Sequence, residues 1–345
     1  MSFNSTKAIN ENAYTTVEVL TVTLFSIIFV FGTIGNVFVF FYFGIKEKPA
    51  RSIEQRKVPD FLFCVLALVD FFASVFNPLL YAYWTLTRYK WYFGYWACKL
   101  FVPIGTVATT MSGGIFVVLS FDRQRTIVYP FKRHFKFIYI KLSIFLILIY
   151  ALVMNAHYAL NITLNVKTNK CSVPDAGKKT YLVPSIFYFF INACTLLVVI
   201  SFTNYRIFSK MLRHSPTSTL VLGNGATRRK KDNYRIIRLL IALTTVFFIL
   251  TLPRDILQFV YLLSWCFGHG FALNRPILTL NSFLKVFNVA NSCVNPLIYY
   301  KMHFGFKRFI KRSFGIKADN LIQGRKSSDF NLTERYSMLS LNKYS

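Results

Sequence analysis

Apolar residues in this chain are gathered into long runs separated by short polar stretches. Val19–Ile45 holds no charged residue, and neither do Leu100–Phe121, Leu142–Val166 and Thr180–Tyr205. Phe61–Thr87 holds only Asp70, Leu239–Trp265 holds the adjacent Arg254 and Asp255, and Pro276–Tyr300 holds Lys285. A bilayer core about 30 Å thick takes roughly 20 apolar residues of helix to cross. The pattern predicts an all-α membrane protein, a seven-transmembrane helix bundle over residues 19–300. After the last run, Phe304, Phe306, Phe309 and Ile310 alternate with Lys307, Arg308, Lys311 and Arg312. That alternation predicts a short amphipathic eighth helix over 301–314, lying on the inner membrane face.

The flanks are polar. Residues 1–18 read as an extracellular N-terminus without a cleavable signal peptide, because the first apolar run is too long for a signal-peptide core. Residues 315–345 read as a disordered cytoplasmic tail with Ser327, Ser328, Thr333, Ser337 and Ser340. The inner loop before the sixth span carries turn-favouring Gly223-Asn224-Gly225, then Arg228-Arg229-Lys230-Lys231. That basic run is either an anchor beside anionic lipid or a contact for a cytoplasmic partner.

Composition agrees with the runs: 54% hydrophobic, with 38 Phe in 345 residues. A net charge of +28 would suggest a nucleic-acid partner in a soluble protein. Its distribution argues otherwise. With the N-terminus outside, the inner loops and tail carry 30 Lys and Arg and the outer segments carry 9, leaving Arg254 and Lys285 within spans. Positive loops that stay inside explain this asymmetry, and nucleic acid is set aside. Asn4-Ser5-Thr6 and Asn161-Ile162-Thr163 are glycosylation sequons on the outer side, whereas Asn331-Leu332-Thr333 falls in the tail as a chance match.

Ionisable side chains cost about 2.5–3.5 kcal/mol each at the centre of a membrane helix on insertion scales. Asn36, Asp70, Arg254, Asp255, Lys285, Asn291 and Asn295 are therefore the functional candidates inside the spans. Asp70 needs amide or hydroxyl partners, a bound cation, or a proton.

These residues fall into a known order. Gly35-Asn36 in the first span, Leu66 to Asp70 in the second, Asp122-Arg123-Gln124 closing the third with Ile127 and Pro130 after it, and Asn295-Pro296-Leu297-Ile298-Tyr299 in the seventh resemble the signatures of class A (rhodopsin-like) G-protein-coupled receptors. Trp91, Phe93 and Gly94 precede Cys98 as in that family's first outer loop. The resemblance covers roughly residues 20–312 and implies a plasma-membrane receptor, not an enzyme, that activates a heterotrimeric G-protein. Arrestin binding to phosphorylated tail Ser and Thr is implied with it.

The resemblance also implies roles. Asn36, Asp70, Ser112, Asn291, Ser292 and Asn295 would form a sodium pocket, or a hydrogen-bonded cluster without an ion. Asp122 would restrain Arg123 at rest, and the freed arginine would meet the G-protein. Tyr205, Phe247, Pro253, Asn295, Pro296 and Tyr299 would rearrange on activation. Cys98 and Cys171 would form an outer disulfide, a bond suited to an oxidising exterior. Cys64, Cys194 and Cys293 read as packing residues and Cys266 as a free thiol. No cysteine follows Cys293, which excludes tail palmitoylation.

Several family positions are altered. Gln124 replaces the motif tyrosine, Thr251 the sixth-span tryptophan and Leu197 the fifth-span proline, and Tyr150 is nearest to the fourth-span tryptophan. Asp232 and Asn233 stand where a glutamate would pair with Arg123, which predicts a weak resting lock.

For the ligand, Gly105 replaces the aspartate of biogenic-amine receptors, and Val289 replaces the retinal lysine of opsins, so no retinal cofactor is expected. Arg254, Asp255 and Lys285 remain in the outer half. They either pair among themselves or offer a surplus cation to a ligand carboxylate or carbonyl. Cys98-Lys99-Leu100 and Val128-Tyr129-Pro130-Phe131 resemble the neuropeptide-receptor group, so a peptide ligand is expected. The alternatives are a lipid or small chemosensory ligand and, from another class, a membrane transporter or channel. A transporter would show paired helix breaks and a line of intramembrane charges.

Overall fold

The computed structural model describes residues 14–46, 54–129, 135–213, 224–267 and 274–315. Asn4, Pro130, Asn331 and the tail Ser and Thr lie outside them, as do the side chains of Asp232 and Asn233. The chain divides into two compact units, Met1–Ile298 and Tyr299–Ser345.

Seven helical segments are long and apolar enough to cross a membrane, all in the first unit except the last four residues of the seventh. They are built from α1 (Thr16–Phe41), α2 (Glu54–Leu86), α3 (Gly94–Val128), α4 (Phe137–Asn161), α5 (Lys179–Thr195) with α6 (Ser201–Arg213), α7 (Asn224–Trp265) and α8 (Arg275–Met302). The helices outrun the apolar runs because hydropathy marks only the lipid-embedded part. α1 begins three residues early, where Thr15 accepts from the Glu18 backbone N–H and the Glu18 carboxylate accepts from that of Thr15. This reciprocal box satisfies donors that would otherwise be orphaned at a helix start. α7 begins well before Leu239.

The fourth run was expected to reach Val166, but its helix stops at Asn161. There the chain turns into an antiparallel hairpin, β1 (Thr163–Asn165) with β2 (Lys170–Ser172), a small exception to the all-α expectation. Asn165 is the reason for the turn: its side-chain oxygen accepts from the backbone N–H of Lys167 and Thr168. Lys99 reaches the open end of α4, donating to the carbonyls of Ala159 and Leu160 at 3.1 and 2.7 Å. A cation there suits the negative end of the helix dipole.

Burial runs inward from lipid. Large apolar side chains such as Phe31, Leu160 and Phe187 point outward, while Asn36, Asp70, Ser74, Ser112, Ser120 and Asn295 are buried. Two apolar clusters hold the disulfide end. One joins Trp91, Cys98, Val102, Ile162 and Cys171; the other joins Phe25, Ile28, Val286 and Val289 across α1 and α8. Trp91 is fixed by its indole N–H, which donates to the Gly94 carbonyl at 2.8 Å.

In the second unit, the amphipathic segment forms α9 (Phe304–Ser313). His303 caps it, accepting from the Phe306 N–H at 3.1 Å, and Phe306 packs edge-on against Tyr299.

Candidate functional site

Asp70 is 1% exposed, and both of its oxygens are engaged. Ser112 Oγ donates to Oδ1 at 2.8 Å and Asn295 Nδ2 donates to Oδ2 at 2.7 Å, tying α2 to α3 and α8. Asn36 Nδ2 donates to the Gly32 and Ser292 carbonyls, both at 2.9 Å, and Ser74 Oγ donates to Ser292 Oγ at 3.0 Å. Asn36 lies in α1, so four helices meet on one polar cluster. Gly35 lets them meet: a Cβ there would come within 2.9 Å of the Pro296 ring.

Five of the sequence-predicted residues, Asn36, Asp70, Ser112, Ser292 and Asn295, are thus brought to one region, and Asn291 is buried one position before Ser292 in α8. Two buried acceptors, Asn36 Oδ1 and Asn291 Oδ1, have no donor among the described residues. Carboxylate, hydroxyl and amide oxygens form a hard donor set, so these residues fit a small monovalent cation.

Arg123 is buried and pairs with Asp122, its Nε donating to Asp122 Oδ2 at 3.0 Å. Phe247 is buried edge-on against Phe116, ring centroids 5.0 Å apart. Thr251, in the tryptophan position, is buried and gives its hydroxyl to the Phe247 carbonyl at 2.8 Å, a bond within its own helix. Tyr205 is 68% exposed on the outside of α6. Gly105 is packed against Asn77: a Cβ there would lie 1.7 Å from Asn77 Oδ1, so the amide fills the space a larger side chain would take.

At the other end, Cys98 and Cys171 form the expected disulfide, tying α3 to β2 across 73 residues. Arg254, Asp255 and Lys285 lie in this half, but among the described residues no salt bridge joins Asp255 to either cation. Lys285 faces rings instead, its Nζ 5.3 Å from the Tyr81 centroid and 6.0 Å from that of Tyr89. Arg254 Nη2 donates to Tyr81 OH at 3.4 Å, a long bond, and Arg254 and Lys285 are electrostatic neighbours. Cation–π contacts are worth about 0.5–2 kcal/mol, less than a carboxylate would supply. Two cations therefore converge on an aromatic-lined region, and among the described residues no salt bridge holds either of them.

The match to the 7 transmembrane receptor (rhodopsin family) model spans residues 35–299. The chain belongs to that family. It is a G-protein-coupled receptor of the plasma membrane, multi-pass and not an enzyme. The type-1 angiotensin II receptor of Homo sapiens is 25% identical over 342 residues, covering 92% of this chain and 85% of that receptor. The C3a anaphylatoxin chemotactic receptor of Danio rerio is 24% identical, covering 88% and 78%. Neuropeptide Y receptor type 4 of Mus musculus is 24% identical, covering 84% and 77%. Squid rhodopsin shares the fold, with TM-score 0.71 at 19% identity over 88% of this chain and 87% of that one.

In this receptor the fifth-span helix is irregular where the family proline is missing. Leu196–Ile200 forms a π turn between α5 and α6, with Leu197 inside it. Amides that sequence reasoning passed over do structural work. Asn155 Nδ2 donates to Thr110 Oγ1 at 3.1 Å, and the Thr110 and Tyr188 hydroxyls bond at 2.8 Å, joining α3, α4 and α5. The available signal was an amide inside an apolar run, as for Asn36. Asn161 uses its side-chain N–H groups on the His157 and Thr180 carbonyls, so a glycan there, which replaces one of the two hydrogens, would cost one of those bonds.

Proposed function

We propose that this receptor stands with its N-terminus outside, is switched by a peptide carrying an anionic group, and activates a heterotrimeric G-protein through its Arg123 end. The observation that carries the ligand reading is Lys285, held against Tyr81 and Tyr89 beside Arg254. A ligand carboxylate would bridge the two cations, and the tyrosine rings would flank its apolar part. Relatives named for angiotensin II, C3a and neuropeptide Y support a peptide over a lipid. Sodium between Asp70, Ser112 and Asn291 would hold the resting arrangement, and Arg123 would leave Asp122 when the bundle opens. Arrestin would follow through the tail Ser and Thr.

The test uses cells expressing the receptor with a promiscuous G-protein, challenged with peptide and lipid libraries while calcium is read. Peptides with a free carboxylate should respond, and amidated or neutral counterparts should lose about tenfold in potency, which is about 1.4 kcal/mol. Responses confined to the lipid library would overturn the peptide reading. Replacing sodium by choline should shift agonist affinity; unchanged affinity would remove the ion from the account.

A further inference from the structure

A cleft of about 430 Å³ opens between α6 and α7, lined by Ile200, Ser201, Asn204, Tyr205, Thr244 and Ile249 among others. That volume lies in the range of small-ligand sites. Both walls belong to membrane-crossing helices, and Tyr205 and Ile249, 68% and 65% exposed, stand at its rim. Exposed faces of such helices meet lipid, so whatever enters the cleft arrives dissolved in the bilayer.

The cleft is not uniformly apolar. Asn204 Nδ2 donates to Thr244 Oγ1 at 3.2 Å, and the Thr244 hydroxyl is directed at the carbonyls of Leu240 and Ile241. The amide's other end, Asn204 Oδ1, is buried with no donor among the described residues. A buried acceptor left without a donor is costly. The vacancy is for a donor, because the Nδ2 side is already committed to Thr244.

We propose that this cleft binds a membrane amphiphile bearing an alcohol, whose hydroxyl donates to Asn204 Oδ1 while its apolar body covers Tyr205 and Ile249. The occupant bridges α6, which carries Tyr205, and α7, which carries Phe247. It resists separation of these helices and makes the receptor's stability sensitive to lipid composition. The site is independent of the peptide reading, since it lies on a different face and needs no cation.

Oleyl alcohol and oleyl methyl ether share a chain and differ only in the donor, so they are the probes. Thermal unfolding of the full-length receptor in detergent micelles is measured against each. Oleyl alcohol should raise the midpoint saturably by about 2–4 °C, and the ether should not. Asn204→Leu should abolish the increment. Ser201→Phe, which fills the cleft and keeps the amide, should abolish it as well, and it carries the test alone where Asn204→Leu fails to fold. Equal increments from both probes, no increment from the alcohol, or an increment that survives in Ser201→Phe would each overturn the proposal.

Discussion

Asp70 and Lys285 are both ionisable side chains inside the bundle, and their surroundings differ in kind. Asp70 receives two short hydrogen bonds from α3 and α8 within a cluster that ties four helices. Lys285 has tyrosine faces and a second cation nearby. A buried charge whose partners come from neighbouring helices belongs to the architecture and its switch. A half-buried charge left with weak contacts, as at Lys285, is a recognition element, because a ligand can supply what the fold withholds.

This contrast gives predictions in descending size. Asp70→Leu strips the acceptor from Ser112 and Asn295, so unfolding in detergent should show a loss of about 2–4 kcal/mol. Unchanged stability would break the contrast on the architectural side. Seven residues beyond Asp70 in α2, Asn77 packs into the space at Gly105. Gly105→Ala should cost about 1–3 kcal/mol by overpacking, and Asn77→Ala in the same chain should restore most of it. An additive double mutant would mean the two do not share that space. Asp122→Asn removes the partner of Arg123 and should raise agonist-free signalling several-fold, an effect of about 1 kcal/mol. Signalling no higher than in the unmodified receptor would show that the pair does not restrain the resting state. Lys285→Met should change stability by no more than about 0.5 kcal/mol, because no strong bond is lost. A large loss would make Lys285 architectural too.

Much of this was legible in the sequence for physical reasons. The bilayer imposes a minimum apolar length, so the spans could be read directly, and Asp70 could be singled out because a carboxylate there demands partners. Asn36, Ser112 and Asn295 followed from the family order. The Asn77–Gly105 contact could not be read, since it depends on how closely two helices approach. Nor could the π turn at Leu196–Ile200, where the expected proline is absent and the hydrogen-bond shift depends on packing. Asn155 and Asn204 were readable but unread: amides in charge-free runs draw less notice than ions, yet lipid makes similar demands of both. The hairpin was masked by Ile162, Leu164 and Val166, which extend the apolar run past the end of α4.

The most direct test of the contrast is the concentration–response curve of a carboxylate-bearing peptide agonist on the Lys285→Gln, Arg254→Gln double variant, with surface expression matched. Potency should fall at least tenfold, while the amidated form of the same peptide, already weak, should change little. Equal potency on the double variant and the unmodified receptor would contradict the account.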